Sequence, residues 1–186
     1  EWHVFEYEPL KSRRLLGLIS TSNGYKWGFV HDSPNLFVID DRKTPMDPKD
    51  DRVLLIEPKN ENGTSFAEKI NAVEKDREGN IWIATDEGIS VDFDPARIFE
   101  GDLYQPGRIR IQKEGYVNYL LKDNDVTDMA VDPANQIWFA TRASGVFAYN
   151  PEAQDIAHHF TSSNSPLLTD TIQSLSINES GEVFIS

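Results

Sequence analysis

The residues best suited to acid–base or metal chemistry in this sequence are its four histidines, His3, His31, His158 and His159. Side chains alternate along a β-strand, so the adjacent pair would point to opposite faces and could not share a metal ion or a proton relay. No serine lies in a G-x-S-x-G elbow, and no H-E-x-x-H motif occurs. We therefore assign no catalytic residue, and we expect these histidines to lie on the surface or on outer strands.

A run of aspartates offers the other candidate metal site. Five aspartates fall within the twelve residues Asp40–Asp51, and carboxylate oxygens are ligands that Ca²⁺ prefers. The spacing differs from that of an EF-hand, and the glycine which that loop needs for its sharp turn is missing. Because prolines and basic residues are interspersed, we interpret the segment as a solvated loop between two strands. Calcium binding there stays the alternative, and we assign no metal ligand and no cofactor.

Aromatic side chains can stack on sugar rings, and the chain has two sets of them. The first set recurs along the chain: Trp27, Trp82, Trp138 and Phe184. Such recurrence favours burial between repeated units over ligand binding. The second set lies in an irregular segment: Tyr104, Tyr116 and Tyr119. These tyrosines are better placed to bind a sugar, but packing of the long segment 96–122 explains them more simply, so the ligand-binding residues stay unknown.

Charge and composition exclude several classes of partner. The 186 residues include 18 Lys and Arg against 31 Asp and Glu, which gives a net charge of −13. Such a chain repels the phosphate backbone of nucleic acids and the anionic surface of membranes. No apolar run approaches the roughly 18 residues of a membrane-spanning helix, so we expect no membrane insertion by this segment. The chain has no cysteine, which removes disulfides and thiolate chemistry.

The elements that carry these residues repeat. Four segments align without gaps on the first aromatic set: TSNGYKW (21–27), DREGNIW (76–82), DPANQIW (132–138) and NESGEVF (178–184). Three residues before each aromatic stands a residue that enters the left-handed backbone region cheaply: Gly24, Gly79, Asn135 and Gly181. Six residues before it stands a side chain able to cap a tight turn: Thr21, Asp76, Asp132 and Asn178. Each unit therefore contains a hairpin loop.

Aliphatic and β-branched stretches around these turns predict strands. The first strands are Leu15–Ser20, Ile70–Lys75, Val126–Val131 and Ile172–Ile177, and the second are Trp27–Val30, Ile81–Thr85, Ile137–Thr141 and Val183–Ser186. Third strands follow in three units: Asn35–Asp40, Ile89–Phe93 and Val146–Tyr149. Fourth strands are Arg52–Glu57, either Arg108–Lys113 or Tyr116–Leu121, and Ile156–Thr161. Helical periodicity is nowhere sustained, so we predict an all-β chain.

A β-propeller accounts best for this pattern. The strands Ile81–Thr85 and Ile137–Thr141 are apolar on both faces, as in a sheet that like sheets cover on both sides. A repeat of about 50 residues matches a four-stranded blade with long loops, whereas a β-helix or another solenoid would have shorter coils. Thr85 and Thr141 recur after the aromatic residue, so we expect them to have a structural role in each blade.

The repeat count predicts a fragment of a β-propeller with about three and a half four-stranded antiparallel blades. We place blades at 15–57, 70–121 and 126–161 and a truncated blade at 172–186, and we interpret Trp2–Tyr7 as the outer strand of a preceding blade. A closed ring needs about four to eight blades. Because the first residue is Glu1 rather than Met, we expect a longer native chain, and pairing of two copies is the alternative.

Two segments resemble the two-component regulator propeller repeat, whose core is D-x-x-G-N-x-W-x-G-T. They are DREGNIWIAT (76–85) and QIWFAT (136–141), with alanine where the repeat prefers its last glycine. The segment HFTSSNSPLL (159–168) resembles the linker that precedes the next blade in that superfamily. The first unit departs from the pattern at Gly28-Phe29, where the other units have a large residue followed by alanine. This departure affects packing and leaves the fold expectation intact.

A further set of segments resembles the PorZ-like propeller proteins of the type IX secretion system. The set comprises the acidic loop Asp40–Asp51, KEGYVNYLL (113–121) and SGVF (144–147), in that order. PorZ-like proteins carry tandem propellers and a C-terminal secretion domain, and they help to deliver anionic lipopolysaccharide to the sortase that attaches it to secreted cargo. The resemblance runs from about Leu15 to the last residue.

This resemblance implies a non-enzymatic scaffold that binds protein partners or lipopolysaccharide. It also implies a location in the periplasm or on the outer-membrane-associated surface of a Gram-negative bacterium. The second hypothesis is the periplasmic sensory propeller of a hybrid two-component histidine kinase that recognises an oligosaccharide and signals by dimer rearrangement. A hydrolase or lyase with a funnel site is the third, and no acid–base constellation supports it. An isolated chain of this kind could form a homo-oligomer.

Overall fold

The structure, a computed structural model, describes residues 6–101, 105–113 and 116–186. Within them the chain forms antiparallel sheets joined by turns and two short 3₁₀ helices, Glu8–Leu10 and Pro95–Glu100. The strands are β1 Leu15–Ser20, β2 Lys26–Val30, β3 Leu36–Asp40, β4 Arg52–Ile56, β5 Ile70–Lys75, β6 Ile81–Thr85, β7 Gly88–Asp92, β8 Gly107–Arg108, β9 Arg110–Lys113, β10 Tyr116–Tyr119, β11 Val126–Val131, β12 Ile137–Thr141, β13 Val146–Asn150, β14 Asp155–Phe160, β15 Leu175–Ile177 and β16 Val183–Ile185. The strand expected at Trp2–Tyr7 lies almost wholly outside the described residues.

The sheets confirm the all-β propeller architecture. Strands β1–β4, β5–β8 and β11–β14 each form a four-stranded antiparallel sheet in chain order, which we call the first, second and third sheets. Strands β15 and β16 pair as a fourth, two-stranded sheet. The first strands of neighbouring sheets, β1 with β5, β5 with β11 and β11 with β15, contact one another. This arrangement is that of blades that meet at a common axis through their first strands.

The second strands β6 and β12 each contribute side chains to two hydrophobic cores. Ile81 and Ile83 pack with Trp27 in the core between the first and second sheets. Trp82 and Ala84, on the other face of β6, pack with the third sheet in the next core. Because both faces are covered by neighbouring sheets, the strand is apolar at its first four positions instead of alternating with polar residues. A third, smaller core lies between the third and fourth sheets.

The repeated hairpin turn has the predicted chemistry. The residue three before the aromatic has a positive φ in all four turns: 93° at Gly24, 96° at Gly79, 63° at Asn135 and 84° at Gly181. In the second sheet the Asp76 carboxylate accepts hydrogen bonds from the backbone N–H groups of Glu78 and Asn80, at 3.0 and 2.9 Å. Its second oxygen accepts a hydrogen bond from Trp82 Nε1 at 2.9 Å. The carboxylate therefore joins the turn to the buried indole.

The two expectations for the fourth strand of the second sheet were wrong except at Arg108. The strand that pairs with β7 is the two-residue β8, Gly107–Arg108. The segments expected as alternatives, around β9 and β10, pair with each other as a separate hairpin. The hairpin leads into Leu120 and Leu121, which are buried in the core between the second and third sheets. Burial of these two leucines accounts for the apolar character that suggested a blade strand.

The departure at Gly28 in the first sheet has a steric cause. A Cβ atom on Gly28 would lie 2.4 Å from the Gly17 carbonyl oxygen and 2.4 Å from the Phe37 ring. In the equivalent position the other sheets place Ile83 and Phe139. The register of β1 against β2 is irregular here, between Leu16 and Ile19, so the two strands approach closely at this glycine.

Candidate functional site

The histidines show no arrangement for acid–base catalysis in the described part of the chain. His158 stacks with Phe160, whereas His159 stacks on Phe147 with ring centroids 3.9 Å apart. The two adjacent rings therefore contact different residues, as expected for side chains on opposite faces of a strand. His31 Nδ1 lies 2.9 Å from a carboxylate oxygen of its neighbour, Asp32. No hydroxyl group among the described residues donates a hydrogen bond to His31, so a Ser–His pair is not formed there.

Thr85 and Thr141 have the structural role that their recurrence predicts. Thr85 Oγ1 donates to the carbonyl oxygen of Gly88 at 2.8 Å, and Thr141 Oγ1 donates to that of Gly145 at 2.8 Å. Each hydroxyl also accepts a backbone N–H from the same turn. The two threonines therefore hold the turn that leads into the third strand.

The acidic loop Asp40–Asp51 is tied to the first sheet by its carboxylates. Asp40 Oδ2 accepts hydrogen bonds from Arg52 Nε and Nη2 at 3.0 and 2.5 Å. Burial raises the pKa of Asp40, but the hydrogen bond and charge of Arg52 outweigh it, so the pKa is lowered overall. Lys26 Nζ donates to Asp41 at 2.6 Å and lowers the pKa of that carboxyl.

Two more aspartates of the loop accept hydrogen bonds from hydroxyl groups. Thr44 donates to Asp50 at 2.9 Å, and the Tyr7 hydroxyl donates to Asp51. Within the described ranges, no group of three or more His, Asp or Glu side chains is arranged to hold a metal ion. The segment joins β3 to β4, and two of its five carboxylates, those of Asp40 and Asp41, are paired with basic residues of the first sheet.

The recurrent aromatic residues occupy the cores between sheets in the first two units. Trp27 and Trp82 are fully buried there. Trp138 is half-buried and stacks on Phe160 with ring centroids 5.8 Å apart. Phe184 in the fourth sheet is exposed. Packing between sheets is therefore confirmed for the two buried tryptophans.

The three candidate tyrosines have different environments. Tyr104 lies outside the described residues. Tyr116 is 79% exposed at the start of β10. Tyr119 faces Arg108, whose guanidinium lies 4.5 Å from the Tyr119 ring centre and 4.4 Å from that of Phe66. Arg108 Nη2 also donates to the Glu87 carbonyl oxygen at 2.7 Å, so Tyr119 and Arg108 form a structural stack.

A concave surface of the described chain lies beside this stack, at the outer strand of the second sheet. Three adjoining cavities of about 320, 340 and 310 Å³ share Arg108 in their walls. Phe93 lines two of them, and its side chain is 65% exposed. Glu61 and Arg110, which form an ion pair with each other, lie at the edge of the second cavity. We call this surface the Phe93 groove.

The 310 Å³ cavity of the Phe93 groove contains a buried carboxylate. Asp92 is 3% exposed, and its Oδ1 accepts the backbone N–H of Asp94 at 2.9 Å. Its Oδ2 has no hydrogen-bond partner among the described residues. Burial raises the pKa of Asp92 to about 6, and the nearby Asp94 charge adds to the shift. An acceptor oxygen in this state can bind a hydrogen-bond donor or a cation.

Sequence reasoning missed Asp92 and Phe93, although the strand register contains a signal. Asp92 pairs with Ile81, and the residues that occupy the same place in the first and third sheets are Ile39 and Tyr149. The next residue, Phe93, stands where those sheets have Asp40 and Asn150, polar residues that end their strands. The second sheet therefore has a charge where its neighbours are apolar and an exposed ring where they are polar.

Comparison with known proteins matches one family model to two of the repeats. The profile of the two component regulator propeller family matches residues 65–87 and 120–143, which contain the turns and inner strands of the second and third sheets. No curated protein matches the chain in sequence. A solved structure of PorZ, described as an essential bacterial surface component of the type-IX secretion system of Porphyromonas gingivalis, matches 100% of the chain with 29% identity and a TM-score of 0.88.

The chain is a β-propeller similar to PorZ. It spans 26% of the PorZ structure it matches. The extracellular domain of a hybrid two-component system from B. thetaiotaomicron matches 95% of the chain at 22% identity and a TM-score of 0.64, over 20% of that domain. Virginiamycin B lyase from Staphylococcus aureus matches 92% of the chain at 13% identity and a TM-score of 0.55, over 54% of its length. These last two likenesses show the shared propeller fold.

PorZ is described as a bacterial surface component, and the two-component system structure as an extracellular domain. No helix of the described residues is long and apolar enough to cross a membrane.

Proposed function

We propose that this chain is part of a non-enzymatic propeller scaffold in a bacterial type IX secretion or cell-surface attachment system. The observation that carries the proposal is the match to PorZ over the whole chain, at 29% identity and a TM-score of 0.88. The scaffold would act in the periplasm or at the outer-membrane surface of a Gram-negative bacterium. The blade bounds 15–57, 70–121, 126–161 and 172–186 are part of the same proposal.

Protein partners or anionic lipopolysaccharide are the proposed ligands of the scaffold. Loops and outer strands on a rigid set of sheets are suitable contact sites, because the sheets hold variable connections in place. The net charge of −13 disfavours direct binding of an anionic glycolipid. Lipopolysaccharide would therefore need local basic residues, bridging cations or other parts of the protein, which makes a protein partner the better fit for this segment.

The alternative is a sensory propeller of a hybrid two-component histidine kinase that recognises an oligosaccharide. The family match at residues 65–87 and 120–143 and the ectodomain structures favour it. The two functions use the same blades, so the repeat does not separate them.

Deletion of the gene in its native bacterium separates the two functions. The scaffold function predicts that type IX cargo accumulates in the periplasm and disappears from the cell surface, while carbohydrate-induced transcription is unchanged. Complementation with the intact gene should restore the cargo. Normal cargo delivery with a lost transcriptional response to an oligosaccharide would contradict the scaffold and support the sensor. Titration of the purified protein with lipopolysaccharide and with oligosaccharides tests the ligand, and no response to lipopolysaccharide would leave protein partners as the ligands.

A further inference from the structure

The second sheet departs from its neighbours at two consecutive residues. Asp92 stands where the first and third sheets place Ile39 and Tyr149, and Phe93 stands where they place the polar strand ends Asp40 and Asn150. A buried carboxylate without a full set of hydrogen-bond partners lowers the stability of the fold, and an exposed phenyl ring contributes no hydrophobic stabilisation. Residues that break a local rule in this way tend to mark functional sites.

The carboxylate and the ring border the same cavity. This cavity of about 310 Å³ is lined by Val91, Asp92, Phe93, Asp94, Gln105, Gly107 and Arg108. Asp92 Oδ2 is buried in its wall and has no hydrogen-bond partner among the described residues. The Asp94 carboxylate is half-exposed at the same cavity, 4.0 Å from Arg97 Nη1. The cavity therefore presents two carboxylates and one aromatic face.

The basic residue in the cavity wall is held mainly by its neighbours. The guanidinium of Arg108 lies between the rings of Phe66 and Tyr119, and its Nη2 donates to the Glu87 carbonyl oxygen, while its buried Nε has no hydrogen-bond partner among the described residues. The charged group with the main effect on the Asp92 carboxyl is Asp94, which is also negative. An anionic ligand would be repelled by both aspartates, and a chain of net charge −13 would add to this repulsion.

A planar cation matches all of these features. A guanidinium donates several N–H groups in one plane, can form a charge-assisted hydrogen bond with a carboxylate, and stacks on aromatic rings. A metal ion fits less well, because the described residues hold no cluster of three acidic or histidine ligands and a phenyl ring is no metal ligand. A neutral hydroxyl donor would leave the buried negative charge uncompensated.

We propose that the Phe93 groove receives the guanidinium of an arginine side chain on a protein partner, with Asp92 Oδ2 accepting its hydrogen bond and Phe93 stacking on its face. The source of the arginine rests on the proposed scaffold function, whereas the chemistry of the groove does not. Because the field of the whole chain is negative, it also attracts a basic segment toward the groove.

Peptide titration of the full chain tests this site. The probe is acetyl-Gly-Arg-Gly-amide, and the matched control peptide has citrulline, which keeps the shape of arginine without its charge. We expect saturable shifts of the Asp94 backbone N–H resonance with the arginine peptide, and binding of the citrulline peptide that is weaker by about tenfold or more. Equal binding of the two peptides, or no saturable shift, would overturn the proposal.

Variants separate the groove from general electrostatic attraction. Asp92→Asn should weaken binding of the arginine peptide by about tenfold, and Phe93→Leu should weaken it several-fold. Asp47→Asn removes the same charge from the acidic loop of the first sheet and should leave binding unchanged. Equal losses for the Asp92 and Asp47 variants would show attraction by net charge alone and overturn the site. If the arginine peptide does not bind but type IX cargo delivery still depends on the gene, the groove is rejected and the scaffold function is retained. If the peptide binds but cargo delivery does not depend on the gene, only the scaffold function is rejected.

Discussion

The repeated turn has a capping aspartate only in sheets whose recurrent aromatic residue is a tryptophan. Asp76 and Asp132 accept hydrogen bonds from Trp82 Nε1 and Trp138 Nε1 at 2.9 and 3.1 Å. The fourth sheet has Asn178 at this place and Phe184 in place of tryptophan, so there is no indole N–H to satisfy. In the first sheet the cap residue is Thr21, and the buried Trp27 Nε1 has no partner among the described residues.

This difference predicts that Thr21→Asp stabilises the protein. The new carboxylate can accept the Trp27 N–H and two backbone N–H groups of the turn, as Asp76 does in the second sheet. A satisfied buried donor is worth about 1 kcal/mol, so the free energy of unfolding should rise by about that amount in urea denaturation. Asn178→Asp is the control, because the Phe184 side chain has no N–H group, although this variant also loses the hydrogen bond that Asn178 Nδ2 donates to Glu182 at 2.6 Å. A similar gain in the control would show that turn capping alone explains the effect.

Asp92 predicts a dependence of stability on pH. Its pKa is raised from 3.8 to about 6 in the folded protein, so the folded state keeps a proton that the unfolded chain releases. This contribution to stability is fully present below pH 3.8 and is lost as the pH rises through about 6. The total loss is at most about 3 kcal/mol.

Comparison of Asp92→Asn with the parent protein isolates the contribution of Asp92 to the free energy of unfolding. Other carboxyl groups titrate in both proteins, so their contributions cancel in the difference between the two free energies of unfolding. We expect this difference to favour the variant more at pH 7.5 than at pH 4.5, by about 1–3 kcal/mol. A difference that is the same at both values would show that Asp92 is ionised in the folded protein already at the lower pH.

Single residues also show what sequence alone can predict. The positive φ at Gly24, Gly79 and Asn135 was predictable, because a tight turn is a local feature and few residues adopt that conformation. The unpaired state of Asp92 was not, because it depends on the neighbouring strand and on residues 105–108, which lie far along the chain. Only the aligned register shows that Asp92 replaces an apolar residue.

At the scale of elements, Gly28 decides how closely β1 and β2 can pack. Gly28→Ala would place a Cβ atom 2.4 Å from a backbone oxygen, which cannot move without shifting the strand. We expect the free energy of unfolding to fall by about 1–3 kcal/mol in chemical denaturation. Gly107→Ala is the control, because Gly107 is also a strand glycine and a Cβ there meets no atom within 4 Å. If both variants lose the same stability, the close approach of β1 and β2 does not set the requirement for glycine.

The separate hairpin of β9 and β10 illustrates where strand prediction fails. Both segments were expected as strands, but the partner of each depends on which strand lies nearest after folding. The second sheet already has β8 beside β7, since Ser90 pairs with Arg108 and its hydroxyl donates to the Gly107 carbonyl oxygen at 3.0 Å. A two-residue strand has too little sequence for a pattern to identify it.

At the scale of the whole molecule, the sheets are coupled through the cores they share. The first and second sheets share a core that includes Trp27 and Ile83, and the second and third share one that includes Trp82 and Phe139. The fourth sheet meets the third through a smaller core that includes Leu175. In a stack of repeated units, stability is close to a sum of unit terms and nearest-neighbour interface terms. The effect of a core substitution should therefore depend on which interface it weakens.

Hydrogen exchange measured by mass spectrometry can test this coupling. Ile83→Ala removes a fully buried side chain from the core between the first and second sheets. We therefore expect the free energy of unfolding to fall by about 2–5 kcal/mol and exchange to be faster throughout these two sheets. Leu175→Ala weakens only the smaller core, so faster exchange should be confined to β15, β16 and the turn between them. Leu168→Ala, at a fully exposed leucine, should leave exchange unchanged and serves as the control. Faster exchange in all four sheets for Leu175→Ala would show that the molecule unfolds as one cooperative unit, and the nearest-neighbour description would then be wrong.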